Sequence, residues 1–154
     1  MWETNEMIVR FGALESRTEP TARWKTAVLD AEALARAVRM LAERPALDGL
    51  LRSGRSQQSD RRQAGLREDE WEADCACGAR QPCRHAQTLL FRFRKEAERH
   101  PGLWWMVSGA DPEAVDEAIR IERAKLVRGG SDRGGNGRDR AGEPLAANEW
   151  ERRA

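Results

Sequence analysis

The crowding of soft donors constrains this chain more than any other feature. All three cysteines lie within nine residues and one of the two histidines follows directly: Cys75-Ala76-Cys77, Gly78-Ala79-Arg80-Gln81-Pro82, Cys83-Arg84-His85. Three thiols cannot close a fully paired disulfide framework. Four soft or borderline donors in eleven residues match the demand of a tetrahedral zinc ion. Two alternatives stand beside that reading. The cysteines serve as small buried hydrophobes next to a surface histidine, or as a redox pair, although Cys-x-Cys lacks the two-residue spacer of the usual dithiol motif.

The flanking residues sharpen the arrangement. In a strand, Trp71, Ala73, Cys75 and Cys77 share one face, while Glu70, Glu72 and Asp74 share the other, so both thiols emerge on the core side. Fully extended, residues i and i+2 lie about 6.6 Å apart. Two sulfurs each about 2.3 Å from one zinc lie nearer about 3.8 Å. The strand must therefore curl at its end, and Gly78 is placed to allow it. Pro82 then leads into a helix with Ala86, Leu89, Leu90, Phe93 and Ala97 on its apolar side, Cys83 at its start and His85 in its first turn. Such a site clamps a strand end to a helix start, and metal binding becomes part of the folding free energy. A closed Cys3His shell keeps no position for an activated water, so no enzyme is expected.

The remaining sequence supports a modest core. Charged residues make up 34% of the 154, mean hydropathy is −0.78, and 27 Lys plus Arg balance 26 Asp plus Glu. That balance excludes a uniformly basic nucleic-acid coat protein, and so small a core often needs a staple. Residues 7–14 and 22–29 read as an antiparallel hairpin, with Val9, Phe11 and Ala13 on one face of the first strand and Trp24, Thr26 and Val28 on one face of the second. Asp30 caps a helix bearing Leu34, Ala37, Val38, Leu41 and Ala42; Pro45 stops it, and residues 46–51 pack a second helix back on the first. The expected organisation is an N-terminal hairpin and helical pair (7–52), a flexible linker (53–65), the finger and following helices (66–127) and a disordered tail (128–154). Asp111-Pro112-Glu113 opens the last helix, with Val115, Ala118, Ile119 and Leu126 on one side. The fold class is therefore α+β, a small zinc-stapled domain. The first residues lack the basic start and apolar run of a signal peptide, and the longest apolar run, 103–107, is far below the roughly twenty residues of a membrane span. A reducing cytoplasm is the expected location and no membrane contact is expected.

Cys-x-Cys at a strand end, a short loop, and Pro-Cys-Arg-His running into a helix resemble the SWIM-type zinc finger. More narrowly, residues 75–85, the helix after them and His100-Pro101-Gly102-Leu103-Trp104-Trp105 resemble the bacterial SWIM zinc finger family proteins. The resemblance covers residues 70–109 firmly and 7–52 loosely. It implies one structural Zn²⁺ held by Cys75, Cys77, Cys83 and His85. It also implies DNA binding or protein contact, and SWIM fingers occur in or beside Snf-type helicase-like ATPases and transposases.

A partner surface follows from the finger helix. Arg84, Thr88, Arg92, Lys95 and Arg99 form one stripe, and residues 75–100 hold six basic residues against two acids, Glu96 and Glu98. The stripe serves phosphate contact or is a solvated helix face. Trp104 and Trp105 are expected in the core beneath this helix, His100 as a helix N-cap, and Glu68, Asp69, Glu70, Glu72 and Asp74 on a solvated strand face. The expected function is a structural zinc-binding interaction module that contacts DNA or protein as a non-catalytic accessory factor. The alternative is a pure protein-binding adaptor, accessory to a Snf-type helicase-like ATPase, without nucleic-acid affinity. No small-molecule substrate is expected.

Overall fold

Five short strands pair in chain order in one antiparallel sheet: β1 (Trp2–Glu3), β2 (Met7–Arg10), β3 (Ala13–Ser16), β4 (Ala22–Lys25) and β5 (Glu72–Cys75). The computed structural model describes residues 1–135. Six helices accompany the sheet among the described residues: α1 (Ala31–Glu43), α2 (Pro45–Arg52), α3 (Gln58–Gln63), α4 (Arg84–Arg99), α5 (Leu103–Val107) and α6 (Pro112–Gly135). Three of them, α1 to α3, lie between the paired strands β4 and β5. None of these helices is long and apolar enough to cross a membrane.

Residues 7–14 are two strands, not the single strand expected. Arg10 pairs with Ala13, and Gly12 turns the chain at φ +83°, a conformation that side chains with a Cβ rarely adopt. Phe11 sits at the turn and is exposed, so it does not share the buried face of Val9. Val28 likewise lies beyond β4 and is exposed, whereas Trp24 and Thr26 are buried. Register places Trp2, Val9, Leu14, Trp24 and Ala73 side by side across all five strands. Because facing residues share a face, this row and the Ala22–Cys75 pair build the core side of the sheet. Glu15, Arg23 and Asp74 line up on the other side, with an Arg23–Glu15 ion pair at 3.3 Å.

Local chemistry explains the helices. The Asp30 carboxylate accepts from the Ala33 N–H at 2.7 Å and starts α1, which buries Ala37, Val38, Leu41 and Ala42 as their spacing predicts. Pro45 ends one helix and also opens the next, since its missing N–H costs nothing at a first-turn position. Buried Asp48 accepts from Arg52 at 3.0 Å and from Arg123 of α6 at 3.1 Å, and Arg123 also donates to the Leu41 and Ala42 carbonyls. One arginine thus satisfies carbonyls at the end of α1 and ties α6 to α2. On α6, Val115 and Ile119 are buried as expected, but Leu126 is 47% exposed.

The expected linker is structured. Residues 58–63 form α3 because Arg61, though charged, is buried: it donates to Glu68 at 2.6 Å, and its guanidinium lies 4.1 Å from the Trp104 ring. Glu68 belongs to a 3-10 turn (Glu68–Glu70), not to a solvated strand face; it is buried and also accepts from Arg94 of α4 at 2.6 Å. An acid enclosed by two arginines is compensated where a lone one is not. The expected boundary between 7–52 and 66–127 does not separate two cores: β4 pairs with β5, and one hydrophobic cluster contains Val9, Leu14 and Leu41 together with Phe93, Trp104 and Ile119. Of the expected tail, 128–135 continues α6 and 136–154 lies outside the described residues.

Candidate metal centre

The donor cluster forms where β5 ends and α4 begins. Cys75 is the last residue of β5 and is buried beside Ala22. Beyond it the chain turns: the Gly78 N–H donates to the Cys75 carbonyl at 3.3 Å, and Gly78 has φ +70°. No atom lies within 4 Å of where a Gly78 Cβ would be, so glycine is required there for backbone conformation and not for space. This is the curl that two sulfurs sharing one ion require. Because the strand has already ended, Cys77 is exposed and not on the core side as expected.

The loop from 78 to 82 is braced by Gln81, whose amide donates to the Ala79 carbonyl at 2.9 Å while its oxygen accepts from the Cys83 N–H at 3.1 Å. Cys83 caps α4 through sulfur, with Sγ accepting from the Ala86 N–H at 3.4 Å. The indole of Trp24 donates to the Ala86 carbonyl at 2.8 Å and so ties this first turn to β4. His85 is exposed in the same turn, and its Nδ1 lies 3.9 Å from Cys83 Sγ. The donor atoms of Cys75, Cys77, Cys83 and His85 all lie within 4.8 Å of one another, close enough to hold a metal ion. All three cysteines are free thiols.

The electrostatics divide the two buried thiols. Cys83 is held down to about 6, first by the Ala86 N–H, with further lowering by hydrogen bonds from Cys77, Cys75 and His85, against the opposing effect of burial. At Cys75 the Cys77 backbone N–H lowers the thiol, but burial and the neighbouring sulfurs of Cys77 and Cys83 outweigh it and the net direction is upward. Amide hydrogen bonds also reach Cys77, where the Ala79 N–H donates to Sγ at 3.4 Å. Bonds of this kind orient sulfur ligands and spread their charge.

Around this cluster, α4 buries Ala86, Leu89, Phe93 and Ala97, with Leu90 partly buried, as its periodicity predicts. Trp104 and Trp105 are core residues: Trp104 meets Phe93 edge-on at 4.9 Å and lies 6.1 Å from Trp71. His100 is not an N-cap; its N–H closes the end of α4 on the Glu96 carbonyl at 2.8 Å, and its ring lies 5.5 Å from Trp2. Along the basic stripe, Arg84 and Arg99 are exposed and have no acidic partner among the described residues, whereas Arg92 lies 3.4 Å from Glu6 and Lys95 3.5 Å from Glu98. Phe91, which belongs neither to the buried side nor to the basic stripe, is 59% exposed on the same helix. Its signal is that it falls out of phase with the buried set. No family model, no curated protein and no solved structure matches this chain.

Proposed function

We propose that this chain is a non-catalytic interaction module of the SWIM type, stapled by one structural Zn²⁺ and serving to contact DNA or protein. The convergence of Cys75, Cys77, Cys83 and His85 within 4.8 Å carries the reading. Zinc bonds of about 2.3 Å to sulfur and about 2.0 Å to nitrogen bring donors to roughly 3.5–3.8 Å. The 3.9 Å between Cys83 and His85 needs only a small contraction. Thiolates and imidazole favour zinc over the hard cations that take oxygen ligands. With four protein donors the tetrahedron is complete, so the ion organises the chain and activates no water or small-molecule substrate. A reducing, cytoplasmic setting keeps the thiols available to it.

Exposed Arg84 and Arg99 supply phosphate contacts along α4 in the DNA reading. The pairing of Arg92 with Glu6 and of Lys95 with Glu98 favours the second reading, a protein-binding adaptor beside a Snf-type helicase-like ATPase. Metal analysis of the purified chain is expected to return one zinc per molecule; a metal-free, fully stable protein overturns the proposal. Duplex DNA affinity that falls steeply with salt and is reduced in Arg84→Ala/Arg99→Ala supports DNA contact. No DNA affinity at low salt leaves the adaptor.

A further inference from the structure

We propose that the outer face of α4 binds single-stranded nucleic acid, with an unstacked base lying on the ring of Phe91. The inference rests on the nucleic-acid reading above and narrows it to one kind of strand. An isolated exposed apolar side chain needs no explanation. Phe91 differs in its company. Opposite the buried line of Ala86, Leu89, Phe93 and Ala97, the helical repeat brings Arg84, Phe91 and Lys95 onto one outward line, and Arg92 and Arg94 flank the ring. Residues 84–95 contain four basic side chains and no acid. The Lys95 ammonium lies 5.6 Å from the centre of the Phe91 ring.

Of the acids that reach this face, Glu98 belongs to the last turn of α4 itself and the other two come from other elements. Glu98 pairs with Lys95 at 3.5 Å and Glu6 with Arg92 at 3.4 Å, both exposed pairs of little strength, while Glu68 holds Arg94 from the buried side. Arg84 stays unpaired among the described residues. An accessible aromatic face amid cations suits a strand whose bases are free to stack and whose phosphates run alongside. A duplex keeps its bases in the stack and offers this ring nothing to cover, so Phe91 discriminates between the two forms.

The test uses the full, zinc-loaded chain with a fluorescein-labelled oligothymidylate and a labelled duplex, followed by anisotropy. The single strand is expected to bind more tightly. Phe91→Ala is expected to weaken it about tenfold with duplex affinity, zinc content and thermal midpoint unchanged, and Phe91→Trp is expected to retain it. Arg84→Ala is expected to flatten the logarithmic salt slope by about 0.7, one single-strand phosphate. Wild-type affinity in Phe91→Ala, or equal binding of both forms, overturns the inference; salt-dependent binding weakened by Arg84→Ala/Arg99→Ala then leaves the broader DNA reading standing. Absence of binding to either oligonucleotide at low salt overturns both. Capture of a protein through Phe91 without oligonucleotide binding also overturns the inference.

Discussion

At its middle, α4 is held by Phe93, which is fully buried and meets Trp104 edge-on at 4.9 Å, whereas at its start the helix presents Arg84, His85, Gln87 and Thr88 to solvent. The middle is supported by apolar area, which needs no ligand and acts at every pH. The start has Cys83 and Ala86 inside, one indole hydrogen bond from Trp24, and four donors that converge on a single point. On the proposal above, one continuous helix therefore has a part that holds itself and a start that a bound ion would order. On that same proposal, a chain with so modest a core could keep α4 facing solvent at its start because the ion would replace the apolar area that its first turns lack.

That contrast can be broken from its stronger side first. Phe93→Ala is expected to cost about 4 kcal/mol in denaturant unfolding, since it empties the space between Trp71 and Trp104. Glu68→Ala comes next, at about 3 kcal/mol, because it leaves Arg61 buried without its acid; a loss below about 1 kcal/mol would show that the arginine finds water instead. Removing the metal with a chelator is expected to cost about 2.7 kcal/mol when the free ion had stood at 100 times its Kd. Amide exchange should then quicken across residues 75–88 while Phe93 and Trp104 keep their protection, and uniform loosening along α4 would erase the distinction. The last effect is a pH dependence. Cys83, held down to about 6, is ionised through the neutral range, so its preference for thiolate contributes fully above the ordinary thiol value of 9.0 and is lost as pH falls through about 6. Below that, metal affinity should fall about tenfold per pH unit through this thiol alone, measured by competition with a chromophoric chelator.

The metal donors were legible because ligand spacing is a local property. Cys75, Cys77, Cys83 and His85 are near in sequence, and the need for two sulfurs to approach one ion already demanded a turn at Gly78. The Asp30 cap and the buried side of α1 were legible for the same reason. What escaped was charge buried at long range. Arg61 and Glu68 look like solvent residues in any apolar periodicity, but their mutual enclosure, with Arg94 and the Trp104 ring, anchors α3, whose start the Asp60 carboxylate caps by accepting from the Gln57 N–H at 2.8 Å. The turn at Gly12 escaped because the β-forming residues on both sides of it read as one run. Phe91 escaped because apolar periodicity singles out only the residues that share the buried phase.

The placement of α1, α2 and α3 between β4 and β5 bears on the order in which the chain assembles. The strands β2, β3 and β4 join through short turns, and the four donors need only a short loop, so each group closes cheaply. Pairing Ala22 with Cys75 closes the longest loop in the sheet and is expected to come last. On the proposal above, a bound metal would then act before the sheet is finished: it would deliver β5 already joined to the start of α4, as a finished edge for β4 to receive. Stopped-flow refolding with and without metal would separate the two steps, because only the late one should slow when the edge arrives unassembled.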